Sequence, residues 1–72
     1  MFEAGDKQAL SLSAQAYKLA PKNAAVLDTY GWINSQIGDK QLGIELLKQA
    51  LALAPNDKTI AEHLNKATSA LN

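Results

Sequence analysis

Few residues of this chain could carry out covalent or metal chemistry, and their spacing does not favour it. His63 is the one histidine among 72 residues, and cysteine is absent. The segment from Glu62 to Asn65 lacks the second histidine, four residues away, that a zinc-peptidase helix needs. None of the serines stands in the pattern of a nucleophile elbow. We therefore predict that the chain is not an enzyme and needs no metal or other cofactor.

Charge and hydropathy exclude two further classes of partner. Seven lysines balance seven carboxylates, and arginine is absent. A nucleic-acid-binding protein is expected to carry a basic surface, because phosphate contacts supply much of its affinity. No apolar run approaches the ~20 residues of a membrane span. We expect a protein or peptide partner, no nucleic acid and no membrane span; the absence of cysteine leaves the cellular compartment open.

The chain contains an internal repeat. The segments Leu19–Asn23 and Leu53–Asp57 are near copies, and each contains a proline at its centre. The offset between Pro21 and Pro55 equals the period of about 34 residues that is typical of stacked two-helix repeats. A second similarity, between residues 5–8 and residues 38–41, has an offset one residue shorter. The sequence therefore predicts a repeat architecture.

Hydrophobic periodicity, capping residues and helix breakers predict four α-helices. We expect the helices over Asp6–Ala20, Asn23–Ile37, Asp39–Ala54 and Asp57–Leu71. The linkers between them are short, which leaves consecutive helices antiparallel and in contact. The predicted fold class is therefore all-α, built from antiparallel helix-turn-helix repeats of an α-solenoid.

Each predicted helix carries an apolar stripe that should face a shared core. Gly31 and Gly43 lie inside helices, where glycine costs about 1 kcal/mol relative to alanine. We expect both glycines at close helix contacts; the alternative is a tolerated surface glycine. The residues predicted to face inward are Ala9, Leu12, Ala16, Leu19, Val26, Leu27, Tyr30, Ile33, Ile37, Leu42, Leu46, Leu47, Ala50, Leu53, Ile60, Leu64, Ala67 and Leu71.

This pattern resembles the tetratricopeptide repeat (TPR) family. That family has a large residue, Leu-Gly and Tyr on its first helix, then Ala, an aromatic residue and Pro on its second. Gly31, Ala50 and Pro55 match outright, whereas Asn34 departs from the pattern. Leu27–Trp32 also resembles a variant found in bacterial TPR proteins of the cell envelope, including those of exopolysaccharide export and pilus assembly. The positions filled by substitutes are Leu27, Tyr30, Gly43 and Leu47.

Aligned with the TPR pattern, residues 1–72 form a single TPR-like domain with three segments. Residues 24–57 form one complete repeat. Residues 5–23 correspond to the second helix of a preceding repeat, and residues 58–72 to the first helix of a following repeat or a terminal cap. We therefore expect a section of a longer array, near its C-terminal end.

The first predicted helix should lack the helix that would pack against it in a longer array. Fewer than three repeats rarely bury enough surface to be stable alone. We expect Leu10, Leu12 and Tyr17 to be left without a packing partner. A second copy of the chain is the simplest way to cover this edge, which would give a homodimer.

The resemblance implies a binding groove on the second and fourth helices, because the first helix of each repeat lines the concave face in this family. Trp32 lies beside the apolar stripe, where an indole makes a good recognition anchor; alternatively it packs against the neighbouring repeat. The family's basic clamp for a peptide carboxylate is absent, so we expect an apolar peptide with a few cationic or hydrogen-bonding groups. The predicted groove residues are Asp28, Thr29, Trp32, Ser35, Gln36, Glu62, His63 and Lys66.

Two functions remain open from the sequence. The chain is either a protein–protein interaction scaffold that binds a partner through this groove, or a structural spacer or self-association module joined through its repeat edges. The resemblance to envelope proteins favours the bacterial periplasm or envelope as its location, with the cytoplasm as the alternative.

Overall fold

The computed structural model describes residues 7–69 and confirms the all-α fold. Its helices are α1 (Lys7–Leu19), α2 (Ala24–Ile37), α3 (Lys40–Leu53) and α4 (Lys58–Ser69). These bounds agree with the predicted helices to within one residue wherever the structure describes both ends. The predicted extensions to Asp6 and Leu71 lie outside the described residues. Within residues 7–69, no helix is both long enough and apolar enough to cross a membrane.

Side-chain caps define the start of three helices. The Asn23 side-chain oxygen accepts a hydrogen bond from the backbone N–H of Val26, at 3.1 Å. The carboxylates of Asp39 and Asp57 cap α3 and α4 in the same way, at 3.2 and 3.1 Å. A cap of this kind typically stabilises a helix by about 1 kcal/mol. These three caps fix where each of the helices α2, α3 and α4 begins.

Helix α2 lies at the centre of the bundle. It packs against α1, α3 and α4, whereas α1 contacts only α2 among the described helices. Helix α4 packs against both α3 and α2, so residues of α2 and α3 meet on its inner side. The core consists of one cluster with Leu27, Leu46, Ala50 and Ile60, and a second with Ile44, Leu47 and Ala67.

Gly31 and Gly43 lie at a close contact between α2 and α3, as predicted from the sequence. A Cβ atom built on Gly43 would lie 2.6 Å from the carbonyl oxygen of Gly31 and 2.7 Å from the backbone nitrogen of Ser35. A Cβ on Gly31 would lie 3.0 Å from the carbonyl oxygen of Gly43. Because the obstructing atoms are mostly backbone, a larger residue at Gly43 would force the two helices apart.

Four leucines predicted to face the core are exposed instead. Leu12 is 57% exposed and Leu19 is 87% exposed, because α1 has a helix on one side only. The equivalent of Leu12 in the next repeat is Leu46, which is 1% exposed because its helix packs against α2 and α4. The other two exposed leucines, Leu42 and Leu53, lie near the two ends of α3.

Tyr17 has a packing partner, contrary to the prediction. Its ring stacks on that of Tyr30, with the centroids 5.2 Å apart and the planes at 29°. The contact joins α1 to α2, and both tyrosines pack against the cluster that contains Leu27. Of the three residues expected to lack a neighbour, Leu12 is therefore the one that the structure leaves most exposed.

Candidate functional site

Three side chains, two from α2 and one from α4, meet where these two helices pack together. The His63 and Trp32 rings are stacked, with centroids 4.4 Å apart and planes at 19°. His63 Nδ1 lies 2.8 Å from Asp28 Oδ1. A carboxylate accepts hydrogen bonds and does not donate them, so in this contact the Nδ1–H group of His63 donates a hydrogen bond that Asp28 Oδ1 accepts. We call these three residues the Trp32 cluster.

The helix geometry explains how the Trp32 cluster forms. Asp28 and Trp32 are four residues apart on α2, so their side chains lie one above the other on the same face. His63 lies between Ile60 and Ala67, the buried residues that hold α4 in the core. The side chains of His63 and Asp28 are 25% and 15% exposed. The core residues of α4 therefore fix the position of His63 in the Trp32 cluster, and the cluster remains partly exposed to solvent.

Another predicted groove residue, Ser35, is not available on the surface. It is 4% exposed, and its hydroxyl donates to the carbonyl oxygen of Trp32 at 2.7 Å. The prediction that Ser35 lines the groove was wrong, because the close approach of Gly43 buries this part of α2 against α3.

The remaining predicted groove residues are not part of the Trp32 cluster. Thr29 lines a shallow groove of about 200 Å³ between α1 and α2. Gln36 is exposed, and its amide nitrogen lies 3.5 Å from the Ser35 hydroxyl. Glu62 and Lys66 are exposed on α4. Over residues 7–69, neither of these two charged side chains forms an ion pair.

Sequence reasoning missed the role of Asn34, which it treated only as a departure from the family pattern. Asn34 is 4% exposed, and its amide nitrogen donates to the carbonyl oxygen of Tyr30 at 2.9 Å. Its side-chain oxygen accepts from the backbone N–H of Asp39 at 3.4 Å. Asn34 thereby links the end of α2 to the start of α3. Its position four residues before Gly38 was the available signal, since a polar side chain there can reach the turn.

Three kinds of chemical group meet in the Trp32 cluster. It offers an aromatic face, a carboxylate and an imidazole. Within residues 7–69, no group of three or more histidine, aspartate or glutamate side chains is placed to hold a metal ion.

Fold and site together define an α-helical repeat segment with a partly open aromatic cluster between repeats. The chain is similar to a TPR repeat-containing protein of Pseudomonas aeruginosa, with 39% identity over 59 residues. The match covers 82% of this chain and 10% of that protein, so the chain spans about a tenth of the relative's length. No protein-family model and no solved structure gives a significant match. The similarity supports a TPR-type repeat and, in general terms, a protein-interaction module.

Proposed function

We propose that this chain is part of a TPR array that binds a partner protein or peptide through the face shared by α2 and α4. In this assignment residues 24–57 form the complete repeat, residues 5–23 belong to the preceding repeat, and residues 58–72 form the following or capping helix. The similarity to a bacterial TPR repeat-containing protein supports the TPR part of this proposal. A location in the bacterial envelope is part of the same proposal.

The Trp32 cluster is the observation that carries the proposal. Trp32 is the one tryptophan of the chain; it is half-buried and stacks on His63 of α4. Tryptophan is enriched among the residues that dominate binding energy at protein interfaces, particularly where a well-packed surround excludes water. Thr29, Gln36, Glu62 and Lys66 would supply the polar rim of such an interface.

Affinity capture from a lysate of the source organism tests this function. The wild-type chain, Trp32→Ala and Lys48→Ala serve as parallel baits, each shown by circular dichroism to be folded. Lys48 is an exposed residue of α3, so its replacement controls for a nonspecific effect of substitution. A partner retained by wild type and Lys48→Ala but lost by Trp32→Ala would support partner binding through the face shared by α2 and α4. Equal capture by all three baits would exclude a role of Trp32 in partner binding.

Self-association through a repeat edge is the second candidate function. Leu12 and Leu19 lie seven residues apart on α1, hence on one face, and both are exposed. A second copy of this chain could bury this apolar face of α1 in a dimer interface. Sedimentation of wild type and Leu12→Glu tests it: dimers of wild type that dissociate in the variant would support this candidate, and monomers of both would exclude it. A substitution at Leu64 is not a suitable test of self-association, because Leu64 packs against the core cluster that contains Ile44.

A further inference from the structure

We propose that Asp28 and Trp32 form a binding site for a planar cation, the guanidinium group of a partner's arginine, and that His63 fills this site until the partner displaces it. The inference rests on the protein-binding function proposed above and names the chemical group that the groove takes. It also assigns His63 the role of an internal competitor.

The contacts of His63 describe the ligand that the site accepts. Its ring lies nearly parallel to the indole of Trp32, at 4.4 Å and 19°. In the same position, an N–H group in the plane of the ring reaches Asp28 Oδ1 at 2.8 Å. A replacement must therefore be flat and must carry an N–H donor at its edge. Guanidinium has both properties and stacks on aromatic faces.

A lysine ammonium meets only part of this requirement. It is a compact point charge with no flat face to lie against the indole. It could satisfy the carboxylate of Asp28 but would leave the stacking surface that His63 now covers exposed to water. The site should therefore distinguish the two cationic side chains, and this difference separates a shaped site from simple attraction to a carboxylate.

Guanidinium can compete with a side chain held by its own chain. An internal group has a high effective concentration, which an external ligand must overcome. Arginine is always charged and can donate two parallel hydrogen bonds to a carboxylate. His63 donates one, from Nδ1 to a single oxygen of Asp28. The charged neighbours on α4, Glu62 and Lys66, are exposed and of opposite sign, so they neither strongly attract nor strongly repel the ligand.

The ligand must come from outside this sequence. The chain has no arginine, so no side chain of its own offers a guanidinium group to the site. Asp28 keeps 15% of its side-chain surface open, and this opening gives the incoming group its first contact. Displacement of His63 would then expose the indole face.

Tryptophan fluorescence tests the inference directly, because Trp32 is the one tryptophan. The probes are N-acetyl-arginine amide and N-acetyl-lysine amide, titrated into wild type and His63→Ala. We expect a saturable change with the arginine probe and a weaker response to the lysine probe. If His63 leaves the site open about a tenth of the time, its removal should tighten binding about tenfold.

Two variants control this experiment. Asp28→Asn should abolish the preference for the arginine probe, because it removes the anionic acceptor. Asn65→Ala, an exposed position on α4, should respond as wild type does. If His63→Ala does not fold, the wild-type titration is followed instead by the NMR signals of the Trp32 indole N–H and the His63 ring, which should shift together.

The inference is overturned if neither wild type nor a folded His63→Ala responds saturably, if both probes act equally, or if Asp28→Asn keeps the preference. Its failure can be told apart from failure of the proposed function. Partner capture that depends on Trp32 but accompanies no guanidinium binding would retain the groove and reject arginine as its ligand. Guanidinium binding without capture of any partner would count against the groove's proposed function alone.

Discussion

Gly43 faces the carbonyl oxygen of Gly31 so closely that a Cβ atom on Gly43 would lie 2.6 Å from it. Gly43→Ala should therefore destabilise the chain by about 1–2 kcal/mol net, because overpacking costs up to about 3 kcal/mol and alanine's higher helix propensity returns about 1. Urea unfolding followed by circular dichroism measures the change. Gln41→Ala, at an exposed position of α3, is the control and should stay within about 0.5 kcal/mol of wild type. An unchanged or higher stability of Gly43→Ala would show that α2 and α3 separate without cost.

The glycine contact was predictable from sequence, and the reason is local. Glycine inside an apolar helix is unfavourable, so its presence in two neighbouring helices indicates a close contact. Helix starts were predictable for the same kind of reason, because Asn23, Asp39 and Asp57 cap helices through atoms three residues away. These features depend on residues that are near in the chain or repeated at a known offset.

Burial of the leucines was not predictable in this way. Leu12 and Leu46 are separated in the sequence by the same offset as Pro21 and Pro55, and both fit the apolar stripe of a helix. Their exposures are 57% and 1%, because exposure depends on how many helices surround the residue. The Asp28–His63 contact joins residues 35 apart in the sequence, and it likewise depends on how α4 packs on α2. The hydrophobic periodicity of one helix predicts neither the exposure of these leucines nor the contact between Asp28 and His63.

These two leucines give a matched prediction. Leu46→Ala should destabilise the chain by about 2–5 kcal/mol, the usual range for truncation of a buried leucine. Leu12→Ala should change stability by no more than about 0.5 kcal/mol in the monomer, because little is removed from the core. Urea unfolding of both variants at low protein concentration measures the pair. A large loss in Leu12→Ala that grows with protein concentration would instead reveal a self-association surface on α1.

Asn34 should prove a structural residue of the turn between α2 and α3. Asn34→Ala removes both hydrogen bonds of the side chain, to Tyr30 and to Asp39. We expect a loss of about 1–3 kcal/mol, because buried groups that lose their partners incur a desolvation penalty. Thermal unfolding measures it, with Gln36→Ala as an exposed control two residues further on. Equal melting temperatures for the two variants would mean that the turn does not depend on the Asn34 amide.

The Trp32 cluster should stabilise the packing of α4 on α2 against local opening. Removal of the imidazole in His63→Ala abolishes the stack on Trp32 and the hydrogen bond to Asp28. An aromatic pair and a hydrogen bond to a charged group each contribute roughly 0.5–3 kcal/mol. Helix α4 should therefore open more often, whereas α3 should remain protected because Gly31 and Gly43 are untouched. Native-state hydrogen exchange separates the two helices, and Asn65→Ala supplies the control on α4. Faster exchange throughout the chain would mean that His63 stabilises the whole fold, whereas unchanged exchange in α4 would mean that Ile60 and Ala67 alone anchor this helix.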